Sequence, residues 1–282
     1  MVAVGLAVLA AGDVNPEVFA VGGLENQLIE VGVVLKEVEP LTGGFEVGMP
    51  LVDVINFMDG INGITAGYSL AVLVPLALVN GSGFLDEPSD KVERMVQGSS
   101  RINELENSFI DQSYLIVAII GVLVFSIFNF RPKGKAKCFA GDVGSVGIGF
   151  IMLFAIGRLI MKTGDVTWLV LLLVYGVDGI LTICHRVMLH EHIGQAHRKH
   201  AYQIMANELK IGHMKISLLY MGLQLAVSLG FIYLCPNTVL AHWVYLIGAA
   251  IVLAIGYILF MRKYYHLHEE YLRGLKVKGS RL

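Results

Sequence analysis

The chain has 282 residues, of which 55% are hydrophobic and only 16% charged, and its mean hydropathy is +0.67. Soluble domains carry about a quarter charged residues, so this composition excludes an ordinary soluble globular protein and points to an integral membrane protein. The net charge of −2 says little about partners, because charge is segregated along the chain. Three dispersed cysteines (Cys138, Cys184 and Cys235) form no CxxC pair and read as structural thiols.

In chain order, the first fifty residues come first and carry no clear pattern. Ala3 to Ala11 is apolar but only about half of the ~20 residues a span requires. No basic stretch precedes it, which argues against a signal peptide. From Ile64 onward, apolar runs at 64–80, 113–130, 145–161, 167–185, 216–234 and 240–261 each predict a transmembrane helix. The expected fold is therefore all-α: a polytopic membrane bundle of about six helices. Three regions follow: an atypical segment 1–50, a transmembrane domain 51–261 and a basic tail 262–282.

Polar segments between the runs differ in sign. Residues 81–112 hold seven Asp or Glu against three Lys or Arg. Residues 131–144, 186–215 and the tail together hold fifteen of the chain's twenty-one Lys and Arg. Basic residues stay cytoplasmic in short loops, and alternating six helices puts these three segments on one side, with the acidic loop opposite. Three polar motifs share that basic side: Asn56-Phe-Met-Asp59-Gly-Ile-Asn62, Cys138-Phe-Ala-Gly-Asp142-Val-Gly-Ser145 and His197-Arg-Lys-His200-Ala-Tyr-Gln203.

Asn56, Asp59 and Asn62 are spaced by three, so a helical turn would line them on one face. Such a face suits a sugar, a base or a metal-bound diphosphate, or simply a polar turn capping the next helix. Glycines flank Asp142 just before a helix, with Ser145 expected near the N-cap. Helix starts favour anions, and a carboxylate there can hold Mg²⁺ bridging phosphates; an ordinary capped helix start is the plainer alternative. The third segment combines histidines with Arg186 and Arg198, which suits phosphate binding or a solvated basic loop. His190 and His192 belong to the latter. Asp178 lies inside an apolar run, about 10 Å from its basic end. An ionisable group there implies function or a partner, with Arg158 and Arg186 the candidates. Asp165 and His242 read as solvated at the opposite face.

Taken together, these motifs resemble those of the polyprenyl-phosphate N-acetylhexosamine-1-phosphate transferases, closest to the branch acting on UDP-GlcNAc and undecaprenyl phosphate. The first is similar to that family's Asn-x-x-Asp-Gly-x-x-Gly signature and the second to its Phe-x-Gly-Asp-x-Gly-Ser signature. Resemblance covers about Val52 to Leu234. It implies transfer of a sugar-1-phosphate, GlcNAc-1-phosphate first among them, from a UDP-sugar to undecaprenyl phosphate, releasing UMP and initiating cell-envelope polysaccharide. The implied setting is a bacterial inner membrane with the site facing the cytoplasm. Asp142 would hold Mg²⁺ (or Mn²⁺). Asp59, Asp142 and His200 would be catalytic, and Asn56, Asn62, Asp178, Arg186 and Arg198 would bind substrate. Expected partners are a UDP-N-acetylhexosamine, undecaprenyl phosphate and membrane lipids, with a homodimer possible and no nucleic acid.

The chain departs from the family at three points. His197 stands where the family has an acid, and Tyr202 and Gln203 where it has histidines. The family's adjacent Asp-Asp pair occurs nowhere in the chain, and six spans are fewer than its ten or eleven. These departures carry two further expectations: an N-terminally shortened or out-of-frame start, and, as the alternative function, an inactive member that binds UDP-sugar or lipid phosphate without turnover.

Overall fold

A computed structural model describes residues 55–56, 58–81, 108–190 and 198–279. The segment 1–50, most of the acidic loop, and His192 and His197 lie outside the described residues. Among the described residues there are seven α-helices: α1 (Ile64–Gly81), α2 (Gln112–Asn129), α3 (Gly141–Thr163), α4 (Leu173–Met188), α5 (Ala201–Asn207), α6 (His213–Leu234) and α7 (Val239–Gly279). A 3₁₀ helix, Val166–Leu172, runs directly into α4. Among the described residues there is no strand.

Among the described residues, six helical segments are long and apolar enough to cross a membrane: α1, α2, α3, the joined 166–188 segment, α6 and the Val239–Glu270 part of α7. Each coincides with one of the apolar runs. The physical reason is simple, since a chain in hydrocarbon must satisfy its backbone hydrogen bonds within itself. Polar residues set the ends. Asp111 caps α2 by accepting from the Ser113 amide at 2.7 Å. Gly164, at φ 67°, closes α3.

Helix α1 lies at the centre, packed chiefly against α6 and α2, and buries Tyr68, Val72, Leu73 and Leu76. By contrast, α2 and α7 leave large apolar side chains exposed, among them Val117, Ile127, Val244 and Val252. In a membrane those faces meet lipid tails.

The joint at Leu172 is held by a side chain from another helix. Gln224 of α6 donates from Nε2 to the Val170 carbonyl (3.0 Å) and accepts at Oε1 from the Val174 amide (3.1 Å). Those two backbone groups are the ones an α-helix would join directly. The amide side chain takes the place of that bond while the helix changes from 3₁₀ to α. Tyr68 donates to the same Oε1 at 2.8 Å and stacks on Tyr175, with ring centres 3.4 Å apart.

Asp165 and His242 are a pair rather than two solvated groups: His242 Nδ1 lies 2.5 Å from Asp165 Oδ2, with both side chains largely covered. Burial pushes the Asp165 carboxyl up, but hydrogen bonds from Thr167 and His242 outweigh it and hold the group below the usual carboxylate range. The boundary expected at 261/262 falls inside α7, which continues as one helix through the basic tail to Gly279.

Candidate active site at the basic end of the bundle

The first polar motif is not the regular helical face its spacing suggests. Residues 55–56 are helical, but the chain then turns through Met58 to Gly63. The Asp59 amide closes one turn on the Asn56 carbonyl at 3.1 Å. Gly63 then adopts φ 84°, and a Cβ there would lie 2.6 Å from the Phe130 ring. Asn62 is buried and its Nδ2 donates to the carbonyls of Arg131 and Pro132, both at 3.1 Å. Its backbone amide donates to His213 Nδ1 at 3.3 Å, and its carbonyl accepts from Ser217 at 2.9 Å.

A second asparagine, Asn129, makes the reciprocal link and carries no signal in the motifs. It ends α2, is 4% exposed, accepts from the Gly63 amide at 2.7 Å and donates to the Cys138 carbonyl at 2.9 Å. One side chain thereby ties the loop holding Asp59 to the loop leading to Asp142. Its sequence signal was slight, a lone amide at the end of an apolar run.

Asp142 lies in the first turn of α3 and is exposed. Ser145 does not cap that helix, whose N-cap is Ala140. It is buried inside the helix, and its hydroxyl donates to Asn56 Oδ1 at 2.5 Å, with the Gly141 carbonyl also within reach at 2.9 Å. The two motifs therefore touch. Asp59 is half-buried and accepts from Thr65 Oγ1 at 2.5 Å. Burial raises its carboxyl above the usual carboxylate range; the Thr65 bond opposes the rise and the nearby charge of Asp142 adds to it.

Asp178 is 3% exposed and does not draw on Arg158, whose Nε donates to the Phe109 carbonyl instead. Its partners are Tyr220 (2.6 Å), the Ala201 amide (3.2 Å), Thr182 (3.2 Å) and His200 Nδ1 (3.4 Å). It fastens the start of α5 to the membrane core. His200 is itself 3% exposed, and Gln203 accepts from its backbone amide at 3.3 Å, capping α5. Tyr202 reaches across to the first motif, where the Gly60 amide donates to its hydroxyl. A Cβ on Gly60 would lie 2.4 Å from that oxygen. Burial, with the charges of Asp178 and Asp59, raises the Tyr202 phenol above its ordinary value. Arg186 is buried in the last turn of α4, while Arg198 is exposed.

The three motifs thus meet at one end of the bundle. Asp59 and Asp142 present hard carboxylate oxygens close enough to repel, the donor type Mg²⁺ prefers. Among the described residues no group of three His, Cys, Asp or Glu could hold a metal alone. Mg²⁺ characteristically takes one or two carboxylates and fills its shell with water and substrate phosphate, so these residues fit that ion.

No curated protein matches the chain. The family model described as Glycosyl transferase family 4 matches residues 2–160, more than half of the chain. The match includes Asp59 and Asp142, and it also runs through the first fifty residues, which composition alone sets apart. A glycosyl transferase model over that span, on a bundle of membrane-crossing helices, identifies the chain as a member of glycosyl transferase family 4.

Proposed function

We propose that the protein transfers a sugar-1-phosphate, GlcNAc-1-phosphate first among the candidates, from a UDP-sugar to undecaprenyl phosphate at the cytoplasmic face of a bacterial inner membrane. Family membership implies a sugar nucleotide and a polyprenyl phosphate as substrates. The observation that carries the reading is the meeting of the first two motifs: Ser145, three residues after Asp142, donates to Asn56, three residues before Asp59, and the charge of Asp142 reaches Asp59. The excess of Lys and Arg there supports the cytoplasmic assignment.

In the reaction, a phosphate oxygen of the lipid attacks the phosphorus that bears the sugar. The P–O bond to the uridine-side phosphate breaks, UMP leaves with the bridging oxygen, and a lipid-linked diphosphate sugar forms. Two anions must approach, so charge neutralisation and positioning supply most of the catalysis. Asp142 and Asp59 would hold Mg²⁺, which when bound supplies neutralising charge for the diphosphate. Asn56 fixes Ser145 and the register of the two loops, and Asn62 fixes the 131–132 turn. Exposed Arg198 binds phosphate. Asp178, Arg186 and His200 are buried and position the segment that carries Arg198.

The burial of His200 against Asp178 favours a second reading, binding without turnover. One assay separates the two. Purified protein with Mg²⁺, UDP-GlcNAc and undecaprenyl phosphate should release UMP, and Asp142→Ala should reduce release to background. No release above that background with several UDP-sugars defeats the transferase reading; retained nucleotide binding in that case supports the second.

A further inference from the structure

Tyr257, Met261, Tyr265 and His268 of α7 are spaced by four, four and three, so they form one stripe along the helix. Every member of the stripe faces inward. Tyr257 and Thr182 share a hydrogen bond of 2.8 Å, and Thr182 in turn donates to Asp178. Met261 is buried. The Tyr265 ring packs against His185, with ring centres 4.5 Å apart, and lies 5.9 Å below the Lys199 ammonium. His268 Nδ1 bonds Glu208 Oε1 at 2.6 Å.

That last pair is the informative one. Glu208 closes α5, and the two side chains are 4% and 5% exposed. The other carboxyl oxygen, Oε2, is buried without a hydrogen-bond partner among the described residues. A buried carboxylate stripped of its partner is strongly destabilised, so His268 holds the end of α5 as Asp178 holds its start. Lys199 and Glu208 bracket His200 and the whole of α5, and Arg198 immediately precedes Lys199. A helix that merely ended in the headgroup region would have no need to bury an aromatic and a histidine beyond it.

We propose that residues 261–270 of α7 form a strut that positions α5 and the 198–200 segment, and through them Arg198, for the phosphate-bearing substrate. This rests on the transferase reading for its kinetic consequence but not for its structural one. The residues concerned are positioning residues and touch no substrate.

The test uses the full chain in detergent, with hydrogen exchange followed by mass spectrometry. His268→Ala should speed exchange of the 201–208 amides about tenfold or more while leaving α1 and α3 unchanged, because the opening is local. It should raise KM for the UDP-sugar about tenfold with kcat within about twofold, the pattern of lost binding rather than lost chemistry. His268→Asn, which keeps an N–H near the Nδ1 position, should restore both. If the alanine variant does not purify, Glu208→Gln with His268→Ala leaves no buried charge and reads the same exchange. Unchanged exchange at 201–208, acceleration spread over all helices, or faster local exchange with unaltered kinetics in an active enzyme each overturns the strut. Should the wild-type protein release no UMP, the transferase reading falls, and local exchange with rescue by asparagine alone decides the strut.

Discussion

Asp59 is half-buried, takes one side-chain hydrogen bond from Thr65 and feels the charge of Asp142. Its raised carboxyl binds a proton more readily folded than unfolded. The sign follows from linkage: stability associated with this group is fully present below the ordinary carboxylate value of 3.8 and is lost as pH rises through the higher folded value. At neutral pH the ionised group therefore costs stability. Asp59→Asn, which keeps an oxygen for Thr65, should stabilise the protein at pH 7 by about 1 kcal/mol and remove UMP release. Thermal unfolding at several pH values checks this, and the gain should vanish as pH falls toward 4. Mg²⁺ should stabilise the wild type more than the variant, since only the wild type relieves a repulsion on binding it. Asp59 and Asp142 were legible in sequence because carboxylates amid glycines at the mouth of an apolar run are unusual. Asn129 was not: its contribution lies in contacts to Gly63 and Cys138, and nothing local to residue 129 announces them.

At the scale of elements, all six membrane-crossing segments were legible, since a span is a local property of some twenty residues. The joint at Leu172 was not, because it depends on a side chain fifty residues further along. Gln224 sits in an otherwise apolar run and looks like an isolated polar residue, yet both ends of its amide are spent on one break in a neighbouring helix. Gln224→Met keeps the volume and removes all four of its hydrogen bonds, to Val170, Val174, Tyr68 and Ser228, leaving the Val170 carbonyl and the Val174 amide without the bonds that bridge the joint. Hydrogen bonds between helices in membranes are individually worth about 0.6 kcal/mol and up to about 1.7. The loss of four, partly offset where Tyr68 and Ser228 find other partners, should lower stability by about 1–3 kcal/mol, measured by denaturant titration in detergent micelles. A variant as stable as wild type would mean the joint is held by packing alone. The first motif shows the opposite failure: a spacing of three suggests a helical face, but residues 58–62 leave the helix and Asn62 is drawn to the Arg131 and Pro132 carbonyls.

Across the whole molecule, helix α7 stands out for where it is held. Near its start, Tyr245 donates to the Val227 carbonyl at 2.9 Å and His242 meets Asp165. Near its far end come the contacts of Tyr257, Tyr265 and His268. Between them Ile247, Ile251, Val252 and Ile255 are more than half exposed. The helix is fastened by polar contacts at both ends and packs only lightly between them, through Leu246 and Leu253, so lipid is the main neighbour of its span. An unfastened helix answers a thinner or thicker bilayer by tilting, at a modest cost per ångström of mismatch. Here the twelve residue steps from Tyr245 to Tyr257 have a fixed length of about 18 Å, so a mismatch loads the fastenings instead. Reconstituted protein should therefore show an optimum in acyl-chain length, with faster exchange at 201–208 on either side of it. His268→Ala should flatten that dependence, because the fastening that conveys it is gone. In this fold the thickness of the surrounding membrane becomes a mechanical input to the loop that carries Arg198.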